Sequence, residues 1–341
     1  MKYGICGLYH GHLLGIWEAF KKHDPDFQAV GICEVSDGFQ KSHAAVIAEV
    51  GPVADLDALL AQEPDVILTS HRNDLKPHLI ARCAKAGVHV FADKPLCVDR
   101  HGLRRIRKAA KKIEVGLALN VRQMPAALTA LGLVRSGAIG EVFHSWWQGP
   151  HRLNEPSREP WFFREDQCGG LLVDIGCHSV DLALEAHGAK VVDVDGRHGN
   201  FAHPKHPSFQ DHGEMHLTFA NGSTADVRLD WFTPGKFPTY GDGRGMIFGT
   251  KGTIEIFHHL MPLDDPQKPH EATVILCNDS QPPHKVALTE SWSIEEDFLR
   301  RLRGEEHHLT FARIFEVSRI CIEARRGAHK HSRRTRRRAE K

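Results

Sequence analysis

Residues 2–12 read KYGICGLYHGH: a short apolar run at 2–6 breaks at Gly7 into a turn that holds a second glycine, Gly11. Directly after it, Leu13, Trp17 and Phe20 recur at helical spacing over residues 13–22, so the turn joins a strand to an amphipathic helix. The same alternation continues outward. Residues 27–33 form a second apolar run closed by Glu34, and 65–70 (DVILTS) and 88–92 (VHVFA) are two more, separated by a helix-like segment at 77–86. A helix over 104–112 and a strand over 115–119 complete the series. Strands and helices alternating at this pitch predict an α/β domain, a parallel sheet with helices on both faces. Ligands in that architecture sit outside the carboxyl ends of the strands.

The turn at 7–12 is a candidate dinucleotide site. A tight turn there lets backbone N–H groups at the helix start face a pyrophosphate, with the helix dipole helping. Glu34, at the end of the second strand, is placed to accept hydrogen bonds from adenosine ribose hydroxyls, and its charge would repel a 2′-phosphate, favouring NAD over NADP. The usual G-x-G-x-x-G pattern has glycine where Tyr9 stands and glycine or alanine where His12 stands. Taken alone, the turn fits a plain strand-to-helix connection equally well.

After about Met124 the texture changes. A helix over 125–136 leads to a strand over 141–148, a polar loop over 149–167, and then GGLLVDIGCHSVD at 169–181, running into a helix-like 182–187. Beyond Gly188 the chain turns β-rich. Strands at 214–219 and 223–231 flank Asn221-Gly222, a strong hairpin signal, and 246–248, 253–257 and 272–277 add three more. This succession predicts an α+β domain with a mostly antiparallel sheet, one face covered by helices and the other open to a partner.

Bulk properties agree with two soluble domains. A chain of 341 residues exceeds what one core usually spans, and 41% hydrophobic with 26% charged residues is ordinary globular composition. No apolar run approaches the roughly 20 residues of a membrane helix. The first residues run straight into a strand-like segment without a signal-peptide pattern, and eight cysteines with no C-x-x-C pair suit reduced thiols in a cytoplasmic protein. The net charge of +1 hides an asymmetry: residues 325–341 carry nine Lys or Arg against one Glu, so a net +8 there leaves −7 on the rest. With no aromatic residues interleaved, this segment reads as a solvated basic tail, and the acidic body argues against nucleic acid as a partner.

Two polar landmarks point to chemistry. Asp174 and His178 are four apart at the start of a probable helix, so both side chains fall on one face. A carboxylate beside an imidazole can fix its tautomer and raise its basicity, as a general base for an alcohol proton requires. A capping aspartate with a core histidine would give the same spacing. Gly169 and Gly170 before them would let the backbone approach a ligand closely. The second landmark is Asp93-Lys94-Pro95, directly after the fourth strand-like run, which sets a lysine at the carboxyl end of a parallel strand. An exposed loop lysine is the plain alternative.

Together these segments carry more weight than apart. The glycine-containing turn, Glu34, FADKPLC at 91–97 and GGLLVDIGCHSVD at 169–181 occur in the order and spacing of a known family. The chain resembles the glucose-fructose oxidoreductase, inositol dehydrogenase and rhizopine-catabolism (GFO/IDH/MocA) family over roughly residues 1–325. The resemblance implies an N-terminal Rossmann domain over 1–122, a substrate and oligomerisation domain over 123–325, and a tail over 326–341. It implies Lys94, Asp174 and His178 as the catalytic trio. His178 would take a hydroxyl proton, Lys94 would hydrogen-bond the reacting oxygen, and Asp174 would orient the hydroxyl or the imidazole. The cofactor would be NAD, bound by Gly7, Tyr9, His10, Gly11, His12, Glu34, Ser70, Asn73, Asp93 and Lys94. The substrate would be a secondary alcohol of a sugar, polyol or cyclitol. A homodimer or homotetramer is expected from the open sheet face. The family's Glu-Lys-Pro appears as Asp93-Lys94-Pro95. Its Thr-Pro-Asn reads His71-Arg72-Asn73, and the histidine three positions on is Lys76, so both changes fall near the expected nicotinamide ribose.

Weaker candidates lie in the loop before the glycine pair. Arg152 offers a planar fork of donors, and Trp161 a ring for a sugar face, with His151 and Phe162 beside them. Asp211-His212 and Arg244 are of the same kind. Among 25 histidines, His198, His203, His206, His212 and His216 form the densest group. Without accompanying cysteines they read as solvated loop residues, and no metal site is expected. Two other functions remain compatible with the fold: an NAD-using glycoside hydrolase, and a non-catalytic sugar or nucleotide sensor.

Overall fold

Strand β1 (Lys2–Leu8) is buried along almost its whole length, as a strand covered on both faces must be. It pairs in parallel with β2 (Gln28–Val35) on one side and β3 (Val66–Ser70) on the other, Ile5 lying between Ile32 and Leu68. Strands β4 (His89–Ala92) and β5 (Val115–Leu117) extend the sheet, giving the order β2-β1-β3-β4-β5. In that order the chain reverses its winding between β1 and β3, and the crevice outside their carboxyl ends is where such sheets bind ligands. The structure, a computed structural model, describes residues 1–259 and 272–331. The basic tail expected over 326–341 lies outside the described residues from 332 onward.

The chain divides into two compact units. The first contains Met1–Met124, Asp166–Gly169 and Glu290–Arg319; the second contains Pro125–Glu165, Gly170–Thr289 and the described residues from Ile320. In the first unit the helix His12–His23 buries Leu13, Ile16, Trp17 and Phe20, an apolar stripe of i, i+3, i+4 and i+7. The Phe20 ring meets Tyr3, Phe91 and Phe298 with centroids 5.4, 5.1 and 6.2 Å away. The helix Arg100–Ala109 begins four residues before the expected start, because the Asp99 carboxylate accepts from the Gly102 amide at 2.7 Å and caps it.

The second unit is built on a nine-stranded sheet. Its strands are β6 (Val142–Pro150), β7 (Val191–Gly199), β8 (His212–Phe219), β9 (Thr224–Asp230), β10 (Arg244–Gly249), β11 (Gly252–Phe257), β12 (Thr273–Asn278), β13 (Gln281–Lys285) and β14 (His329–His331), in the order β13-β12-β11-β10-β6-β9-β8-β7-β14. All neighbours are antiparallel except β6–β9 and β14–β7. Asn221-Gly222 makes the expected hairpin between β8 and β9. Alternation sets the two faces. Met215, Leu217, Phe219, Val227 and Leu229 are buried, whereas Glu214, His216 and Arg228 project from the strands outward. Strand β7 is not apparent from the sequence because Asp193, Asp195 and Arg197 give it a loop-like composition. The histidine group at 198–216 is not a set of loop residues: His198, His212 and His216 lie on strands, and only His203 and His206 are in the connection between β7 and β8.

One buried histidine tests this packing. His187, the last residue of the helix Gly176–His187, lies with its ring stacked 4.1 Å from that of Phe219. Its two nitrogens bond Ser145 Oγ at 2.9 Å and Ser223 Oγ at 2.7 Å. Burial, with His144 adding to it, pushes the imidazole down to about 4. In the unfolded chain it titrates near about 6.5, so between those values the unfolded state binds the extra proton. The stability His187 contributes is therefore present above about pH 6.5 and lost as pH falls towards 4. His187→Gln should flatten the acid limb of a plot of urea midpoint against pH. An identical slope in the variant would show that this ring does not carry the linkage.

Candidate active site

At the carboxyl end of the first unit's sheet, Gly7 stands at φ +86°, a conformation costly for any residue with a side chain. A Cβ there would also lie 2.5 Å from that of His71. Ser70, buried at the end of β3, ties the turn from inside. Its hydroxyl accepts from the amides of Tyr9 at 3.3 Å and His10 at 3.2 Å and reaches the His10 carbonyl at 3.0 Å. Those two amides thus face inward. Gly11, by contrast, is exposed, and a methyl group added to it would find its nearest neighbour 4.0 Å away. The helix that follows has no acidic residue in its first turn, and its His12 amide donates to His10 Nδ1 at 3.2 Å. That end suits an anion.

Glu34 closes β2, half exposed, and His71 Nε2 donates to its Oε2 at 2.7 Å. The tautomer is fixed from the other side: the Arg72 amide donates to His71 Nδ1 at 2.7 Å, so a neutral ring carries its proton on Nε2. The Tyr9 ring stacks on His71 at 4.6 Å. The hydrogen bond from His71, opposed in part by burial, holds the Glu34 carboxyl below its ordinary range. A carboxylate with one oxygen engaged keeps lone pairs for two ribose hydroxyls. The structure sets His71, at a position where the family pattern has another residue, against Glu34.

Lys76 is the most constrained charge in the unit. Fully buried, its ammonium donates to Asn73 Oδ1 at 2.9 Å, to the Asp93 carbonyl at 2.6 Å and to the Pro95 carbonyl at 2.9 Å. Asn73 Nδ2 in turn donates to the Cys168 carbonyl at 2.8 Å. Lys76 therefore holds both ends of the Asp93-Lys94-Pro95 turn, whose Lys94–Pro95 peptide is cis. The Asp93 carboxylate meets His12 Nδ1 at 3.0 Å and His10 Nδ1 at 3.6 Å. Burial alone would raise this carboxyl, but His12, His10 and Lys76 hold it well below the usual carboxylate range. Lys94 itself is half-buried at the end of β4.

In the second unit, Asp174 is buried at the end of the short helix Leu171–Asp174, and His178 is half-buried in the first turn of Gly176–His187. Ile175 between them keeps right-handed helical angles, so the two stand one turn apart as their spacing predicts. Gly170 has φ +74°, and a Cβ there would collide with the Gln210 amide. The close approach expected of this glycine is thus made by Gln210, whose Oε1 accepts from the Leu171 amide at 3.1 Å. Arg152 directs its Nη2 at the carbonyls of Phe237 (2.5 Å) and Thr239 (3.2 Å), clamping a loop. Trp161, in a single turn at Pro160–Phe163, donates from Nε1 to Glu159 at 3.1 Å. Asp211, fully buried, accepts from the amides of Phe201 and Ala202 and from His203, so it latches a loop. Asp242 holds Arg244 at 2.5 Å.

Comparison with known proteins settles the family. Residues 1–121 match the model of the GFO/IDH/MocA oxidoreductase family with an NAD-binding Rossmann fold, and residues 127–255 match the model of its C-terminal domain. The chain belongs to the GFO/IDH/MocA family. A crystal structure from Erwinia carotovora atroseptica, provisionally named an oxidoreductase, superposes with a TM-score of 0.88 at 28% identity, covering 97% of this chain and all of that one. The scyllo-inositol 2-dehydrogenase (NAD(+)) of Bacillus subtilis is 27% identical over 59% of this chain and 55% of its own length. The 2,7-anhydro-N-acetylneuraminate hydratase of Escherichia coli is 27% identical over 60% of this chain and 55% of its own. The chain thus spans about half the length of the curated relatives it matches. Among the described residues no helix is long and apolar enough to cross a membrane.

Sequence reasoning missed the partners rather than the parts. Nothing local marks Lys76 as a buried charge or His71 as the partner of Glu34. The one signal was that both positions depart from the pattern of this family. Lys76→Met would leave three buried acceptors without their donor, at a cost of about 3 kcal/mol or more. Its denaturation midpoint should fall accordingly. A variant as stable as the parent would mean that Lys76 does not organise this turn.

Proposed function

We propose that this GFO/IDH/MocA protein oxidises a secondary alcohol of a sugar, polyol or cyclitol with NAD. In this reading residues 1–122 bind the cofactor and residues 123–325 the substrate. The observation that supports it best is the Lys76-anchored turn, which fixes Lys94 at the carboxyl end of β4, beside the strand ends where a Rossmann sheet holds its nucleotide. The residues present fit that nucleotide. The helix start at Gly11, exposed and without an acidic residue in its first turn, suits a pyrophosphate, and Glu34, kept as a carboxylate by His71, suits a ribose diol without a 2′-phosphate. When bound, the nicotinamide supplies the hydride acceptor.

The chain's own residues do the rest. His178 takes the hydroxyl proton on an imidazole nitrogen as the alcohol becomes a carbonyl, and Asp174, one helical turn earlier, orients the hydroxyl or the ring. Lys94 donates a hydrogen bond to the reacting oxygen and favours the negative charge that develops there. Tyr9, His10, Ser70, Asn73 and Asp93 shape the nucleotide end. Arg152 and Trp161 are the proposed sugar contacts, Arg152 through whatever part of its fork the loop carbonyls leave. Eight free cysteines, seven of them buried, support a reducing, cytoplasmic setting.

A second reading, an NAD-using glycoside hydrolase, draws support from a relative that is named as a hydratase and not as a dehydrogenase. Oxidation and re-reduction within one turnover would then leave no net NADH.

Two measurements test the proposal. His178→Ala should lower kcat by 100-fold or more, on the order of what a general base contributes, while NADH binding stays near that of the parent. Undiminished turnover would remove His178 from the mechanism. In a fluorescence titration NADH should bind at least about tenfold more tightly than NADPH, and Glu34→Ala should narrow the gap. A preference for NADPH would overturn the assignment of Glu34.

A further inference from the structure

We propose that His10, His12 and Asp93 form a binding site for one divalent transition-metal ion, with the remaining coordination position open to water. The three come together from two strand ends, the imidazoles from the turn after β1 and the carboxylate from directly after β4. Asp93 Oδ1 lies 3.0 Å from His12 Nδ1, and Oδ2 lies 3.6 Å from His10 Nδ1. All three donor atoms fall within 4.8 Å of one another. A tetrahedral ion with bonds of about 2.0–2.1 Å spaces its ligands by roughly 3.3 Å, and Asp93 approaches the two imidazoles to 3.0 and 3.6 Å through a different carboxylate oxygen each.

The donor set selects its class. Two imidazoles and one carboxylate suit zinc, cobalt or nickel, whereas magnesium and calcium prefer oxygen ligands throughout. Asp93 is 4% exposed, so its orientation is set by the fold, while His10 and His12, at 25% and 47%, leave an approach from solvent. The His12 amide donates to His10 Nδ1 at 3.2 Å. An ion on that nitrogen would displace this long bond, because an imidazole nitrogen has one lone pair to give. From the other side Lys76 grips the Asp93 backbone carbonyl, which keeps the carboxylate's main chain in place as the ion binds. An open fourth position is what separates such a site from a closed structural zinc centre.

The site shares His10, His12 and Asp93 with the nucleotide end of the proposed function, but its test needs neither nucleotide nor turnover, so either reading can fail without the other. Co²⁺ titrated into the full-length, nucleotide-free protein should give visible d–d bands of a low-coordinate site. The parent should take up one equivalent more than His12→Ala or His10→Ala, which subtracts binding by the many histidines elsewhere. His12→Cys provides a gain of signal: a thiolate-to-cobalt charge-transfer band in the near ultraviolet that the parent lacks. Loss of one equivalent in the alanine variants together with that new band is the expected result. Equal stoichiometry and identical spectra in parent and variants, or a parent that takes up no Co²⁺, would overturn the site.

Discussion

An ammonium ion taken out of water is costly unless oxygen atoms replace its hydration shell. Lys76 meets that condition with Asn73 and the carbonyls of Asp93 and Pro95, and in doing so it fixes the segment after β3 to the segment after β4. The ends of two neighbouring parallel strands are thereby locked at the side of the sheet where a nucleotide would lie. Lys94 emerges from the locked turn, and the Asp93 carboxylate faces His10 and His12 from it. Ser70 performs the matching task one strand over, joining β3 to the turn after β1. The geometry of this end of the sheet is thus carried by a few buried polar bonds rather than by apolar packing, which is non-directional and could not aim a side chain.

The same economy explains the departures from the family pattern. His71 fills the space left by Gly7, orients itself through the Arg72 amide and reaches Glu34, so one ring serves turn, loop and carboxylate together. The second unit is organised differently. Its sheet buries one face through the alternation of β8 and β9, and the helix that carries His178 ends in the buried His187. His178 is therefore carried on a helix whose far end is anchored in the core, one turn from Asp174.

Much of this was legible in the sequence because the relevant signals are local. Short apolar runs marked β1 to β4, Asn221-Gly222 marked the β8–β9 hairpin, and the contiguous strings at 91–97 and 169–181 carried the family. What stayed hidden depends on residues far apart in the chain. The bond from Lys76 to the Asp93 carbonyl spans 17 residues, and that from His71 to Glu34 spans 37. Strand β7 was hidden for another reason: its charged residues serve an open sheet face, where hydrophobicity is not needed. Gly170 was correctly singled out as a point of close approach, yet the neighbour proved to be Gln210, which periodicity cannot reveal.

The proposed function requires the ammonium of Lys94 and the imidazole of His178 to act on one hydroxyl group. The most direct measurement is a crystal structure of the protein with NADH and a non-reacting polyol. The expected complex has Lys94 Nζ and a His178 ring nitrogen both within roughly 2.6–3.2 Å of the same polyol oxygen. A complex in which the polyol meets only one of these groups, or in which the nucleotide lies away from the ends of β1, β3 and β4, would contradict it.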